Sequence, residues 1–250
     1  MNARPWVESA KVELLLFVRE PMTVVFALVM PVIFTVVLGA VFGDTPDQNG
    51  AIFRGVGGST YYAPAYIGLA AASVGLVILP THLAGYRERG ILRRLRASGV
   101  PVTAVLLGQV AVALVLSAVG GALVVLVSFT SNEPAAAVDA WGVVVAGVVG
   151  ALAFALLGIA LGSLLPTSRA AQGAGILVWF LVFMLGGAGP PPEVLPAAMA
   201  TIGDFTPLRP LITALQDPWF GLGWNPGMLG VLAAIGLVSW AVAALRLSRD

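Results

Sequence analysis

The chain has 250 residues, 59% of them hydrophobic and 10% charged, with a formal net charge of +1 and a mean hydropathy of +0.98. A soluble domain of this length cannot hide so much apolar surface in one core, so the chain reads as an integral membrane protein. It has no cysteine and one histidine, which argues against disulfides, thiol nucleophiles, thiolate metal sites and histidine clusters.

Residues Asn2 to Glu20 carry Trp6, Ala10, Leu14, Phe17 and Val18 at helical spacing, with Glu8, Lys11 and Arg19 on another side. This predicts an amphipathic helix over 1–20 lying in the membrane interface. The rival reading, a secretory signal, fits poorly with the mixed charge of the leader and the length of the apolar run behind it. Pro21 suits the first turn of a new helix and predicts a bend at Glu20.

Residues 21–250 read as one all-α transmembrane domain of six spans. Pro21 to Gly43 is uncharged and about 34 Å long as a helix, enough to cross. Asp44 to Ser59 is a polar loop, and Tyr61, Tyr62 and Tyr66 are expected to form an interfacial belt at the head of a second span, Tyr61 to Gly85. Val102 to Ser128 makes a third, the acidic turn Ser131 to Asp139 follows, and Trp141 to Leu165 makes a fourth. After a tight return through Pro166 and Arg169, Ala171 to Leu185 is a shorter fifth. Gly186 to Pro226 is too broken by proline to span. Val194, Leu195, Ala198, Met199 and Ile202 share one helical face there, and Leu208, Leu211, Ile212 and Leu215 another. The expectation is two short external re-entrant helices, with Trp219, Phe220 and Trp224 at the interface and Met228 to Leu245 as the last span.

Eleven basic residues fall on the side of the N-terminus: Arg4, Lys11, Arg19, Arg87, Arg89, Arg93, Arg94, Arg96, Arg169, Arg246 and Arg249. Only Arg54 and Arg209 fall opposite, which predicts that both termini are cytoplasmic. Lys11 is the only lysine against twelve arginines, a bias of GC-rich genomes that points to a bacterial plasma membrane.

No span contains Asp, Glu, Lys or Arg, so there is no charged relay for a proton- or ion-coupled transporter. His82 reads as an interfacial histidine bonded to a neighbouring helix. Lys11 follows Ala10 without a Gly-rich turn, so the chain has no phosphate-binding loop, and no nucleophile–base pair suggests hydrolysis. The chain is not expected to be an enzyme alone. The pairs Gly39/Gly43 and Gly158/Gly162 match a close-packing motif that 30 glycines also produce by chance. Trp179, Phe180 and Phe183, with Tyr66, are candidates for a substrate path, against the alternative of packing or lipid contact.

The densest charge lies between Tyr86 and Pro101. Ile91, Leu92 and Leu95 define an apolar side and Arg89, Arg93 and Arg96 another, so a short cytoplasmic helix is expected. Topology and contact with anionic lipid would account for the charge but not for the order of residues. That order, ERGILRRLRASGVP from Glu88 to Pro101, resembles the signature of membrane subunits of type-2 ATP-binding cassette exporters, as do the Arg19-Glu20-Pro21 run and the proline-rich hairpin before the last span. It departs at Gly99, where many relatives carry a bulkier residue.

The resemblance implies a permease that pairs with a second permease copy or a homologous permease and with two copies of a nucleotide-binding ATPase subunit. ATP and Mg would sit on that subunit, with no cofactor or metal in this chain and no nucleic acid as partner. Arg87, Glu88, Arg89, Gly90, Leu92, Arg93, Arg94, Leu95 and Arg96 would form the coupling helix; members of that family export drugs, lipids or polysaccharides and some import, and the lack of charge within the spans points to a hydrophobic or amphipathic drug or lipid as cargo. The alternative is a non-transporting membrane scaffold or assembly factor whose basic loop meets lipid or a partner.

Overall fold

The structure, a computed structural model, describes residues 25–46, 50–99, 101–131 and 133–247, and every regular element among them is helical. A π-helical turn, Val25–Val29, runs into α1 (Met30–Phe42). Helix α2 (Gly58–Ser73), a second π-helical turn (Val74–Ile78) and α3 (Leu79–Glu88) form one continuous rod. A short helix, α4 (Ile91–Ala97), precedes α5 (Val102–Ser131), α6 (Ala140–Leu164) and α7 (Ser168–Leu185). Two further short helices, α8 (Ala197–Asp204) and α9 (Leu208–Trp219), lead to α10 (Pro226–Leu247).

Five of these segments are long and apolar enough to cross a membrane: Gly58–Glu88, Val102–Ser131, Ala140–Leu164, Ser168–Leu185 and Pro226–Leu247. Helix α1 is apolar but only 13 residues long. The start of the first expected span, the interfacial helix over 1–20 and the bend at Pro21 lie outside the described residues.

The α2–α3 rod is the centre of the bundle. Of its most apolar window 89% is buried, against 22% for α10 and 28% for α7. Its small residues, including Ala63, Ala65, Gly68, Ala70, Ala71, Ala72, Ser73 and Gly75, let α1, α5, α6, α7 and α9 approach from all sides. A side chain added at Gly158 of α6 would collide with the carbonyl of Gly75, and one at Gly175 of α7 with the carbonyl of Leu76. At Gly162 it would lie 2.9 Å from the Pro80 carbonyl. The Gly158/Gly162 pair is thus a true packing surface, seating α6 backbone to backbone on the rod.

Proline explains the widened turn at that crossing. Inside a helix its ring clashes with the carbonyl four residues back and its nitrogen donates nothing. Before Pro80 the pattern lengthens, with the Leu79 N–H donating to Val74 O five residues back. The next donor in that series would be Pro80, and the carbonyl it leaves aside, Gly75, is the one facing Gly158. The other π-helical turn also ends two residues before a proline, Pro31.

The expected tyrosine belt is corrected. Tyr61, Tyr62 and Tyr66 are 1%, 2% and 0% exposed, packed inside the bundle rather than set at its rim. The reason is the segment Gly186 to Pro226, which folds over them. Tyr61 and Tyr62 donate their hydroxyls to the carbonyls of Gly187 and Gly189, and α9 buries Leu208, Leu211, Ile212 and Leu215 against α2 and α6. Trp219, expected at the interface, is likewise buried, its Nε1 donating to Ala135 O at 3.0 Å. The apolar face of α8 is exposed instead, with Met199, Ile202 and the adjoining Phe205 outward.

Gly158→Ala forces a methyl into the Gly75 backbone and is expected to cost about 1–3 kcal/mol. Gly173→Ala meets nothing within 4 Å and should instead gain a few tenths to about 1 kcal/mol of helix propensity. Reversible unfolding of both variants in mixed micelles checks the pair; equal stabilities would refute the crossing.

Candidate functional site

At the arginine-rich end, two adjacent residues of α3 grip the turn between α6 and α7. Arg87 donates through Nη1 to the carbonyls of Gly162 (3.2 Å) and Leu165 (3.0 Å), at the C-terminal end of α6. Glu88 accepts from the backbone N–H of Ser168 through Oε2 at 2.9 Å, at the first residue of α7, while Thr167 caps the same end by accepting from Ala170 N. Helix ends leave their last carbonyls and first N–H groups without partners inside the helix, and the macrodipole favours a cation at the first and an anion at the second. The sequence Arg-Glu at 87–88 matches both.

Gly90, at φ +67°, turns the chain from α3 into α4 in a conformation that costs glycine nothing. Arg89 donates through Nε to Gly85 O at 3.1 Å, and Arg94 through Nη2 to Arg89 O at 3.0 Å, so both brace the turn. Arg96 donates through Nη2 to Leu247 O at 3.2 Å, the last described carbonyl of α10. Leu92 is 6% exposed, packed within this chain in a cluster with Leu83, Tyr86, Leu106 and Leu247. Leu95 is half-buried, and Arg93 and Arg94 are exposed. Helix α4 therefore spends one leucine on its own bundle and keeps Leu95, Arg93 and Arg94 at the surface.

Of the four aromatic candidates, the structure brings three together. Tyr66, Trp179 and Phe183 are buried in one ladder, while Phe180 is 52% exposed on the outside of α7. Phe34 stacks on Phe183 at 4.6 Å between centroids and lies 6.2 Å from Tyr66; Trp179 stacks on Phe183 at 5.5 Å, and Tyr66 on Tyr62 at 5.3 Å. Phe26 closes one end edge-on against Trp179. Trp179 donates from Nε1 to Ser73 Oγ at 2.8 Å. The Tyr66 hydroxyl, by contrast, is buried without a hydrogen-bond partner among the described residues, as are both amide atoms of Gln109 and the hydroxyls of Ser117 and Ser128 on α5. Sequence reasoning missed Phe26, Phe34 and Tyr62, whose places in the ladder depend on which helices become neighbours.

It also missed a knot at the opposite end. Arg54 meets Asp217 at 2.6 Å and Gln216 Oε1 at 3.1 Å, with its guanidinium 5.6 Å from the Phe220 ring centre. Asn225 Nδ2 donates to the second Asp217 oxygen at 2.7 Å, and Gln216 Nε2 to Tyr61 O at 3.2 Å. The loop before α2 is thus tied to α9 and α10 over the top of the ladder. Its one signal in the sequence was Arg54 itself, one of two basic residues on an acidic side.

A buried hydroxyl without a partner carries its desolvation cost unrelieved. Tyr66→Phe keeps the ring stack and removes that cost, so the protein is expected to gain on the order of 1 kcal/mol. Thermal unfolding in detergent measures it, and a loss of stability would mean that the hydroxyl has a partner.

The family model described as ABC-2 type transporter matches residues 7–220. No curated protein matches the chain. The match runs from before the first described helix through α9 and takes in the α4 region, the ladder and Arg54 with Asp217. The chain belongs to the ABC-2 type transporter family, and is a multi-pass transmembrane subunit of an ABC transporter.

Proposed function

We propose that the chain is the permease of a type-2 ABC exporter, crossing a bacterial plasma membrane six times with both termini in the cytoplasm. Two permeases pair with two copies of an ATPase subunit, which carries the ATP and Mg. The observation that carries this reading is the fastening of α4 to the membrane helices. Arg87 ties the stem of α4 to α6, Glu88 ties it to α7, and Arg96 ties α4 itself to α10. A docking element joined by side-chain bonds to three long helices can pass a displacement on to all of them. A basic loop serving topology alone has no use for such fastening.

The cargo in this proposal is a hydrophobic or amphipathic molecule. Support comes from the aromatic ladder, from the lack of Asp, Glu, Lys and Arg within the expected spans, and from the unpartnered Tyr66 hydroxyl, which can offer a hydrogen bond once the ladder opens. The Arg54–Asp217 knot would then hold the outer end shut.

Leu95→Asp places a charge on the outward apolar contact of α4 and is expected to abolish co-purification of the ATPase while the protein still inserts. Glu88→Ala removes the carboxylate from the α7 terminus, at about 0.5–1 kcal/mol, and should uncouple substrate-stimulated hydrolysis from transport more than it weakens docking. Normal complex formation and normal transport in both variants would favour the scaffold reading. Sidedness has its own test. Cysteines introduced into this cysteine-free chain at Gly50 and Ser131 are expected to react with an impermeant maleimide on intact cells, and one at Ser98 is not; labelling at Ser98 would reverse the orientation.

A further inference from the structure

A recess of about 480 Å³ opens beside α4, lined by Arg87, Glu88, Leu92, Arg93, Arg96, Pro166 and Leu247. Its lining has three arginines to one carboxylate, with Arg87 and Arg96 also donating to backbone carbonyls of α6 and α10. The carboxylate is turned to the Ser168 N–H, so the recess keeps an excess of positive charge. Its remaining lining, Leu92, Pro166 and Leu247, is apolar. Its height is fixed by its walls. Glu88 ends the apolar segment Gly58–Glu88, Pro166 follows the end of Ala140–Leu164, and Leu247 ends Pro226–Leu247. Two membrane-length helices stop at this level and the described part of a third reaches it, which suits the boundary between hydrocarbon and water.

We infer that this recess is a binding site for the phosphate headgroup of an anionic phospholipid. A basic pocket between helix ends at the membrane surface has the charge and depth for such a headgroup, and each nearby arginine adds to the attraction. The apolar lining suits the glycerol and first methylenes of a lipid and is wasted on a free inorganic anion. Leu92, Arg93 and Arg96 line the recess, whereas Arg94 and Leu95 of the same helix do not. Lipid and ATPase thus address different residues of one helix. The lipid seats α4 against α10 and the α6–α7 turn by supplying an anion between Arg93 and Arg96.

The test is native mass spectrometry of the full chain without an ATPase, in mild detergent supplemented with equal phosphatidylglycerol and phosphatidylcholine. Wild type is expected to retain phosphatidylglycerol about tenfold over phosphatidylcholine. Arg93→Gln with Arg96→Gln should erase that preference, and Arg246→Gln, outside the recess, should keep it. Equal retention of the two lipids, or an unchanged preference in the double variant, overturns the site. Should the double variant fail to fold, the melting shift of wild type decides. Short-chain phosphatidylglycerol must raise it more than short-chain phosphatidylcholine, and millimolar inorganic phosphate that matches the effect assigns the recess to a free anion instead. Loss of the lipid on adding the ATPase subunit also overturns the proposal, because the recess then belongs to the subunit interface. No ATPase enters the primary measurement, so its failure leaves the coupling reading standing.

Discussion

The bundle depends on main chain meeting main chain at Gly75. Without a hydrophobic drive between helices in lipid, association rests on close packing, and the closest packing available is backbone on backbone. Gly158 and Gly162 bring α6 onto the α2–α3 rod, and Gly175 brings α7 onto it one residue further along. The short distances between these helices let Arg87 and Glu88, side chains of ordinary reach, bridge from the rod to both. The same proximity puts Trp179 of α7 within a hydrogen bond of Ser73 and lines up Phe183 with Phe34. A single crossing thus serves the aromatic interior and the arginine-rich end together.

The charges at positions 87 and 88 have different work from those at 93 to 96. Arg87 and Glu88 complete the ends of two neighbouring helices, which fixes their order along the chain, because a cation suits the α6 end and an anion the α7 end. Arg93 and Arg94 remain exposed, and only Arg96 reaches across, to α10. A motif that reads as one run of charge is thus two groups, the first completing helix ends within this chain and the second exposed except where Arg96 reaches α10.

Much of the plan was legible in the sequence because hydropathy and proline are strong local signals. Five of the six long apolar runs, the helix in the basic loop and the two short helices before the last span emerge where the pattern of residues placed them, to within a few positions. The leucine face of α9 was legible for the same reason, since Leu208, Leu211, Ile212 and Leu215 repeat at helical spacing and all are buried. What was not legible depends on partners remote in sequence. Tyr61, Tyr62 and Tyr66 have the composition of an interfacial belt, and only the fold of Gly186 to Pro226 across them makes them interior. Leu92 and Leu95 look equivalent in a heptad, yet one is claimed by Leu247 and its neighbours and the other is not. The Arg54–Asp217 pair joins residues 163 positions apart, beyond any local pattern.

The π-helical turn at Val74–Ile78 has a further consequence, for the phase of the rod. One extra residue in a turn rotates everything after it by about 100° relative to an unbroken α-helix. By simple continuation Arg87 would fall on the face that carries Tyr62, Tyr66 and Ser73, and it no longer does. The inserted residue supplies the difference. The second membrane segment behaves as two half-helices keyed to each other at a set angle, one pointing at the aromatics and the other at the α6–α7 turn. Between Val74 and Glu88, Gly75, Arg87 and Glu88 are fixed by what they touch, and the length of the segment is fixed as well, since any change in it would turn the key and leave both ends addressing the wrong neighbours.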